Sequence, residues 1–415
     1  MYLLNSRNPE VKRGGKTVGI TINTPGVYDG LDLEDLTLSK TQPLVTLNTT
    51  GLVHIRGSRL KTTGACFWDN SAAGRKLKLE NSVLENAPAV AGNLGPGRIV
   101  DVDRFHTLVV VKCDLLNHGG IKLAGAGGTA VNTVIVSENR SLNVVSMMGD
   151  GFGGFQNPAA GATTNNAVVE QRQFVQFTGL VAATGIGQPG MQKFQCDWNE
   201  CVNVRGQSQA GDVFSITTAQ GTVAIPIEMN DNLVDGNYAY HQYSVPDANG
   251  SYLAWQASPA GNRLTFSGSG MMSENSGGTY MHRRRNVIIA TTNGGIYLYN
   301  AQTNCIMELN RLVSSGLAPD GTQLTGARTP GMYADTPDPS CSAINNYVTW
   351  MRATAENNPL QRGDFGLGAV SQSGNSPGGS TTITLADEQA ARAFWLAKKR
   401  AAGIYPGSNW MVGSY

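Results

Sequence analysis

At 415 residues the chain is long enough for two or three average domains or for one extended architecture. Charged residues make up 15% and hydrophobic residues 40%, while 51 glycines and 34 asparagines each outnumber the 30 aspartates and glutamates together. The apolar content excludes a disordered chain, and a formal net charge of +1 excludes nucleic-acid or membrane-surface binding by bulk electrostatics. No run approaches the roughly eighteen apolar residues of a membrane-spanning helix. Low charge with abundant Gly, Asn, Ser and Thr suits many short strands joined by tight turns.

The first residues, Met1-Tyr2-Leu3-Leu4-Asn5-Ser6-Arg7, lack the basic and apolar regions of a signal peptide. The expectation is a mature end, or a chain that leaves the cell without signal-directed export. Residues 1–16 read as an N-terminal cap or attachment segment. Six cysteines are too few for a disulfide scaffold, and none forms a C-x-x-C pair. Cys196 with Cys201, or Cys305 with Cys341, is a conceivable pair, but buried free thiols are the preferred reading.

A degenerate pattern then recurs: apolar, any, apolar, any, any, a small or polar turn residue, any, apolar. It reads Val53-His54-Ile55-Arg56-Gly57-Ser58-Arg59-Leu60, then Leu77-Lys78-Leu79-Glu80-Asn81-Ser82-Val83-Leu84. Next come Val109-Val110-Val111-Lys112-Cys113-Asp114-Leu115-Leu116 and the looser Val134-Ile135-Val136-Ser137-Glu138-Asn139. Later copies begin at Phe194, Leu264 and Cys305. Each is a short strand, a bend and a second inward residue. From Val53 to Leu77 is 24 residues and from Val109 to Val134 is 25, the length of one turn of a parallel β-solenoid. The 32-residue step from Leu77 to Val109 fits one coil with an inserted loop. A β-sandwich would instead show turn signals about every 8–12 residues without this longer return. The prediction is an all-β, right-handed parallel β-helix over residues 17–365, with insertions around 150–260 where the register is lost. Residues 366–383 read as a Gly/Ser-rich linker. Residues 384–415 form a terminal helix and tail, with Thr384 as N-cap, Asp387 in the first turn and Lys398, Lys399 and Arg400 near the end. Phe394 and Trp395 are expected to pack.

Three constellations carry chemistry. Asp101 and Asp103, two apart on a strand, share one face about 7 Å apart, a spacing compatible with inverting glycoside hydrolysis or with a divalent cation such as calcium. A solvated face with Arg104 as partner is the plainer alternative. In the segment from Glu228 to Tyr243, Asp231 and Asp235 stand near Tyr238, Tyr240, His241 and Tyr243. This is a catalytic acid pair beside rings on which sugars stack. Its plain alternative is a turn at Asp235-Gly236-Asn237. Third, Tyr280, His282 and Arg284 offer the base and cation that eliminative cleavage of a uronate needs. Three consecutive arginines, 283–285, cannot all point one way, and a basic edge strand is the plain alternative. No two histidines show metal-ligand spacing, and the Gly-rich runs at 125–128 and 149–154 lack any phosphate-binding lysine.

On these repeats the chain resembles the right-handed parallel β-helix (pectate-lyase-like) superfamily, which includes polysaccharide lyases, glycosidases and bacteriophage tailspikes. The likeness covers roughly residues 17–315. No lyase-type or epimerase-type catalytic motif accompanies it. It implies a polysaccharide bound along an elongated flank. The first expectation is therefore an extended surface or virion spike, a homotrimer or part of a larger assembly, that binds a cell-surface polysaccharide, with depolymerisation left open. The alternatives are a secreted polysaccharide lyase or glycoside hydrolase, and a non-catalytic structural or adhesive subunit. Each places the chain on a virion or outside the cell, without a nucleic-acid partner or membrane insertion.

Overall fold

The computed structural model describes residues 19–404, except 40, 88–96, 126–130, 149–167, 171, 185–189, 205–207, 209, 238–267, 275–277, 292–293, 299–301, 318, 320–329, 351–363 and 379–382. Three long parallel sheets, here faces 1 to 3, dominate it. Face 1 has 11 strands, from Gly26–Asp29 to Ser371–Ser373, and face 2 has 11, from Asp32–Asp35 to Ser376–Pro377. Face 3 has 9, from Phe67–Asp69 to Phe365–Gly366. The chain visits the faces in rotation, and each strand pairs in parallel with its counterpart one coil later. The protein is a parallel β-helix.

Alternation explains the wall. In Lys76–Glu80, Leu77 and Leu79 are buried while Lys78 remains partly exposed, and the coils above and below repeat that arrangement with Val53, Ile55, Leu108 and Val110. A strand with period two, sealed above and below by its own kind, buries one side completely and leaves the other to water.

The corner between faces 1 and 2 is the most regular element. It is two residues long, and the first adopts the left-handed conformation in coil after coil, whether it is Gly57, Asn81, Trp198, Arg285 or Leu309. For a non-glycine residue that conformation costs roughly 1–2 kcal/mol. The second corner residue compensates. Asn139, Asn199, Asn232, Asn286, Asn310, Asn346 and Asn375 stack along the axis, each Nδ2 donating to the next Oδ1 at 2.9–3.2 Å. Each Oδ1 also accepts the backbone N–H of the asparagine before it, and each Nδ2 also donates to a backbone carbonyl of the preceding coil, as Asn232 does to Cys196 at 3.0 Å. An interior rung thereby uses all four hydrogen-bonding positions of its amide. Toward the N-terminus Ser58 and Ser82 take the same place, accepting from the Leu31 and Ser58 amides.

Several sequence expectations change. In the third copy the register is shifted by one: Leu108, Val110 and Leu115 face inward, not Val109, Val111 and Leu116. Four apolar residues in succession gave the alternation no contrast. Within 150–260 the coils continue through Val175–Thr178, Lys193–Asp197, Phe214–Thr217, Ile227–Asn230 and Leu233–Asn237, so the register persists there. Met271 opens a face 3 strand, so the copy assigned from Leu264 is not a face 1–2 corner. Residues 366–377 are not a linker; they supply three short strands of the last coil, with Asn375 ending the ladder. All six cysteines are buried and free, as preferred.

The helix Leu385–Ala401 lies across face 2. Asp387 accepts from the Thr384 N–H and hydroxyl, at 2.7 and 2.9 Å, which fixes its start. Trp395 is fully buried against Leu233, Val287, Ile289 and Val313 and donates its indole N–H to the Asp231 carbonyl at 2.8 Å. Phe394 is 48% exposed and carries the Arg311 guanidinium over its ring, 5.2 Å from the centroid. No helix among the described residues is long and apolar enough to cross a membrane.

Replacing a ladder rung strands two buried backbone groups of the preceding coil, as Asn232 holds the Asn199 N–H and the Cys196 carbonyl. Asn232→Ala is expected to cost about 2–4 kcal/mol in denaturant unfolding, against about 1 kcal/mol for Ser82→Ala, which has fewer bonds to lose. Equal costs at the two sites would contradict the assigned network.

Candidate functional site on the outer wall

The outward positions of the three faces differ in what covers them. On face 2 the terminal helix occupies the wall. Asp235, expected as a catalytic acid, lies beneath it and pairs with Arg392. Asp231, its expected partner, occupies the left-handed corner position. It accepts from Arg285 Nε and Nη2 at 2.9 and 2.7 Å and lies 2.7 Å from Lys398 Nζ. Both acids are engaged with cations of the helix. Tyr238, Tyr240, His241 and Tyr243 lie outside the described residues.

On face 3, Asp101 and Asp103 do share the outward side of Val100–Asp103. Asp101, however, is in an ion pair with Lys122 at 3.0 Å, directly across in the next coil. Among the described residues no three or more His, Cys, Asp or Glu side chains gather to hold a metal ion.

Face 1 brings together the most chemistry. The third constellation belongs to strand Met281–Arg284, with Tyr280 just before it in a left-handed conformation. The three arginines diverge as expected: Arg283 is fully buried inward, Arg284 faces out, and Arg285 turns at the corner toward Asp231. His282 and Arg284 stand on the outward side opposite Glu228 and Asn230 of the preceding coil. Arg284 bridges Glu228 at 3.0 Å and Glu308 of the following coil at 3.1 Å. His282 Nδ1 lies 3.9 Å from Glu228. One coil earlier, Asp197 is aligned with Asn230 and accepts hydrogen bonds from Ser137 and from Gln195, the latter at 2.8 Å.

Asp197 and Glu228 are therefore diagonal neighbours on adjacent strands, with Cα atoms on the order of 8 Å apart from strand spacing and rise. Their electrostatics differ. Burial raises the Asp197 carboxyl above its ordinary range against the hydrogen bonds from Ser137 and Gln195, and the charges of Asp231 and Glu228 add to the rise. The His282 imidazole and the Arg284 guanidinium hold Glu228 low, outweighing its own partial burial. Two nearby carboxylates pushed in opposite directions are the arrangement that divides acid from base roles. Neither residue was singled out from the sequence. Applying the repeat to Ile227-Glu228-Met229-Asn230-Asp231-Asn232 would have placed Glu228 outward beside Asp197.

Beneath the helix, burial pushes Asp114 up to about 6, with the Glu200 charge adding to the rise and Arg140 and Lys399 opposing it. A carboxyl that ionises later in the folded than in the unfolded chain favours folding below its unfolded value near 4, and that contribution fades as pH rises through 6. Asp114→Asn is therefore expected to raise stability at pH 8 by about 1 kcal/mol, after solvent screening, and to leave it unchanged at pH 4. Thermal unfolding across that range checks it; a variant less stable at pH 8 than at pH 4, relative to wild type, would contradict the assignment.

No family model, no curated protein and no solved structure matches the chain, so a functional reading must come from the chemistry of its own wall.

Proposed function

We propose that the chain is an extended, spike-type polysaccharide-binding protein, displayed on a virion or outside the cell as a homotrimer, that hydrolyses the glycan it binds. One observation carries this reading: on face 1, Asp197 and Glu228 stand on adjacent coils with carboxyls shifted in opposite directions from their ordinary ranges, on a part of the wall that the terminal helix does not occupy.

In that mechanism Asp197, whose carboxyl burial raises above its ordinary range, donates its proton to the glycosidic oxygen. Glu228, held ionised by His282 and Arg284, takes the proton of the attacking water on the opposite face of the sugar. Arg284 keeps Glu228 in place from one side and is itself fixed by Glu308 from the other. The last strands of faces 1 and 2, Ser371–Ser373 and Ser376–Pro377, are exposed throughout and end their sheets without a further pairing strand among the described residues, an open edge that a partner chain would cover.

The test is incubation of the full chain with a panel of neutral and acidic polysaccharides, read for new reducing ends and for the ultraviolet absorbance of unsaturated products. Wild type is expected to release reducing ends without that absorbance. Asp197→Asn and Glu228→Gln are expected to lose about 10²–10⁴-fold in rate while binding the same glycan within a factor of about three. Unsaturated products would instead support elimination through His282 and Arg284. Binding with no cleavage by wild type would support the adhesive reading and sink the hydrolytic one.

A further inference from the structure

Arg311 faces outward from face 2 without an acid to meet it. Arg59, Arg284 and Arg392, also on the outer wall, each pair with a carboxylate. Glu308, three residues before Arg311, is committed to Arg284. Among the described residues the Arg311 guanidinium makes no hydrogen bond or ion pair, and its Nε is buried without a partner. Two aromatic rings hold it instead. Its Cζ lies 5.0 Å from the ring centroid of Tyr347, directly across in the next coil, and 5.2 Å from that of Phe394 on the terminal helix. Only Nε is shut off from water in this way; Nη1 and Nη2, the end of the fork, are not.

Both rings are open to solvent, Tyr347 at 39% and Phe394 at 48% exposure. Leu309, at the left-handed corner two residues before Arg311, is 49% exposed. A leucine in that conformation is strained, and so exposed it recovers little from burial. Singly exposed hydrophobic residues are ordinary, but three of the six large ones among the described residues gather at this corner. Together they expose on the order of 250 Å², well under the roughly 800 Å² per partner that a stable protein interface buries. The footprint suits a few sugar rings and is too small for a second copy of the chain.

We propose that Arg311, Tyr347 and Phe394 form a second glycan site, which selects an oligosaccharide bearing a carboxylate. The carboxylate accepts hydrogen bonds from Nη1 and Nη2 of Arg311, and neighbouring sugar rings pack on the exposed parts of Tyr347 and Phe394. The rings set the plane of the guanidinium before the ligand arrives, so little freedom is lost on binding. A lysine at this position would keep the charge and lose the planar fork. Two coils and the terminal helix each supply one of the three side chains, so the site is complete only with the helix in place. That the ligand is a glycan rests on the reading above; the site itself lies on face 2 and uses neither Asp197 nor Glu228.

The test presents the full chain to immobilised oligosaccharides in which each uronate-containing member is paired with its carboxyl-reduced form. Wild type is expected to bind acidic members about tenfold or more tightly than their reduced partners. Arg311→Lys and Phe394→Ala are each expected to remove most of that difference. Both replace half-buried or exposed groups, and an unchanged thermal midpoint separates a lost contact from a lost fold. Equal binding of acidic and reduced members by wild type, or undiminished preference in both variants, would overturn the proposal. So would light scattering that shows a wild-type oligomer dissociated by Phe394→Ala, since the patch would then belong to a second copy. New reducing ends are read separately on the same array: their absence sinks the hydrolytic reading of face 1, and acid preference lost on Arg311→Lys would still support this site.

Discussion

The constraint on which the rest depends is the burial of peptide groups at the corner between faces 1 and 2. A coil that turns there in two residues leaves backbone N–H and C=O groups inside the wall, where water cannot reach them. The asparagine of the following coil satisfies these groups, so the corner geometry of one coil is dictated by the next. Left-handed residues as bulky as Trp198 and Leu309 persist because the ladder overdetermines them.

That corner sets the phase of everything after it. Once the ladder residue is fixed, the second residue beyond it faces inward and its neighbours face out, which is why Cys201, Val234, Ile288 and Leu312 line the interior. The same phase places Asp197, Glu228, His282, Arg284 and Glu308 on one side of face 1 although they span more than a hundred residues of sequence. It also places Glu200 and Asp235 under the terminal helix, where Arg392 and Lys399 face them. The wall thus has one lateral surface closed by its own chain and one whose charged groups face outward.

The fold was largely legible because the corner imposes a fixed local spacing. Gly57-Ser58, Asn81-Ser82 and Trp198-Asn199 stand at that spacing from their flanking apolar residues, and the return of the spacing gives the coil. Where the pattern failed, the reason is local. Leu108 to Val111 is apolar on both sides, Arg283 stands where an apolar residue is expected, and the last coil uses strands of two or three residues that read as flexible composition. The site was less legible. Asp231 and Asp235 do face outward, but nothing near them in sequence announces a helix arriving from residue 385. Asp197 and Glu228 meet only after a coil of 33 residues closes, so their pairing depends on a register that the aromatic, acidic segment after 227 concealed.

Hydrogen exchange of the side-chain amides tests the ladder most directly. If the seven asparagines hold the coils as described, the Nδ2 protons of the interior rungs Asn199, Asn232, Asn286 and Asn310 should exchange only on global unfolding, with protection matching that of backbone amides such as Leu233 and Val287. Exchange of those side-chain protons at rates typical of solvent-exposed asparagines would contradict the account.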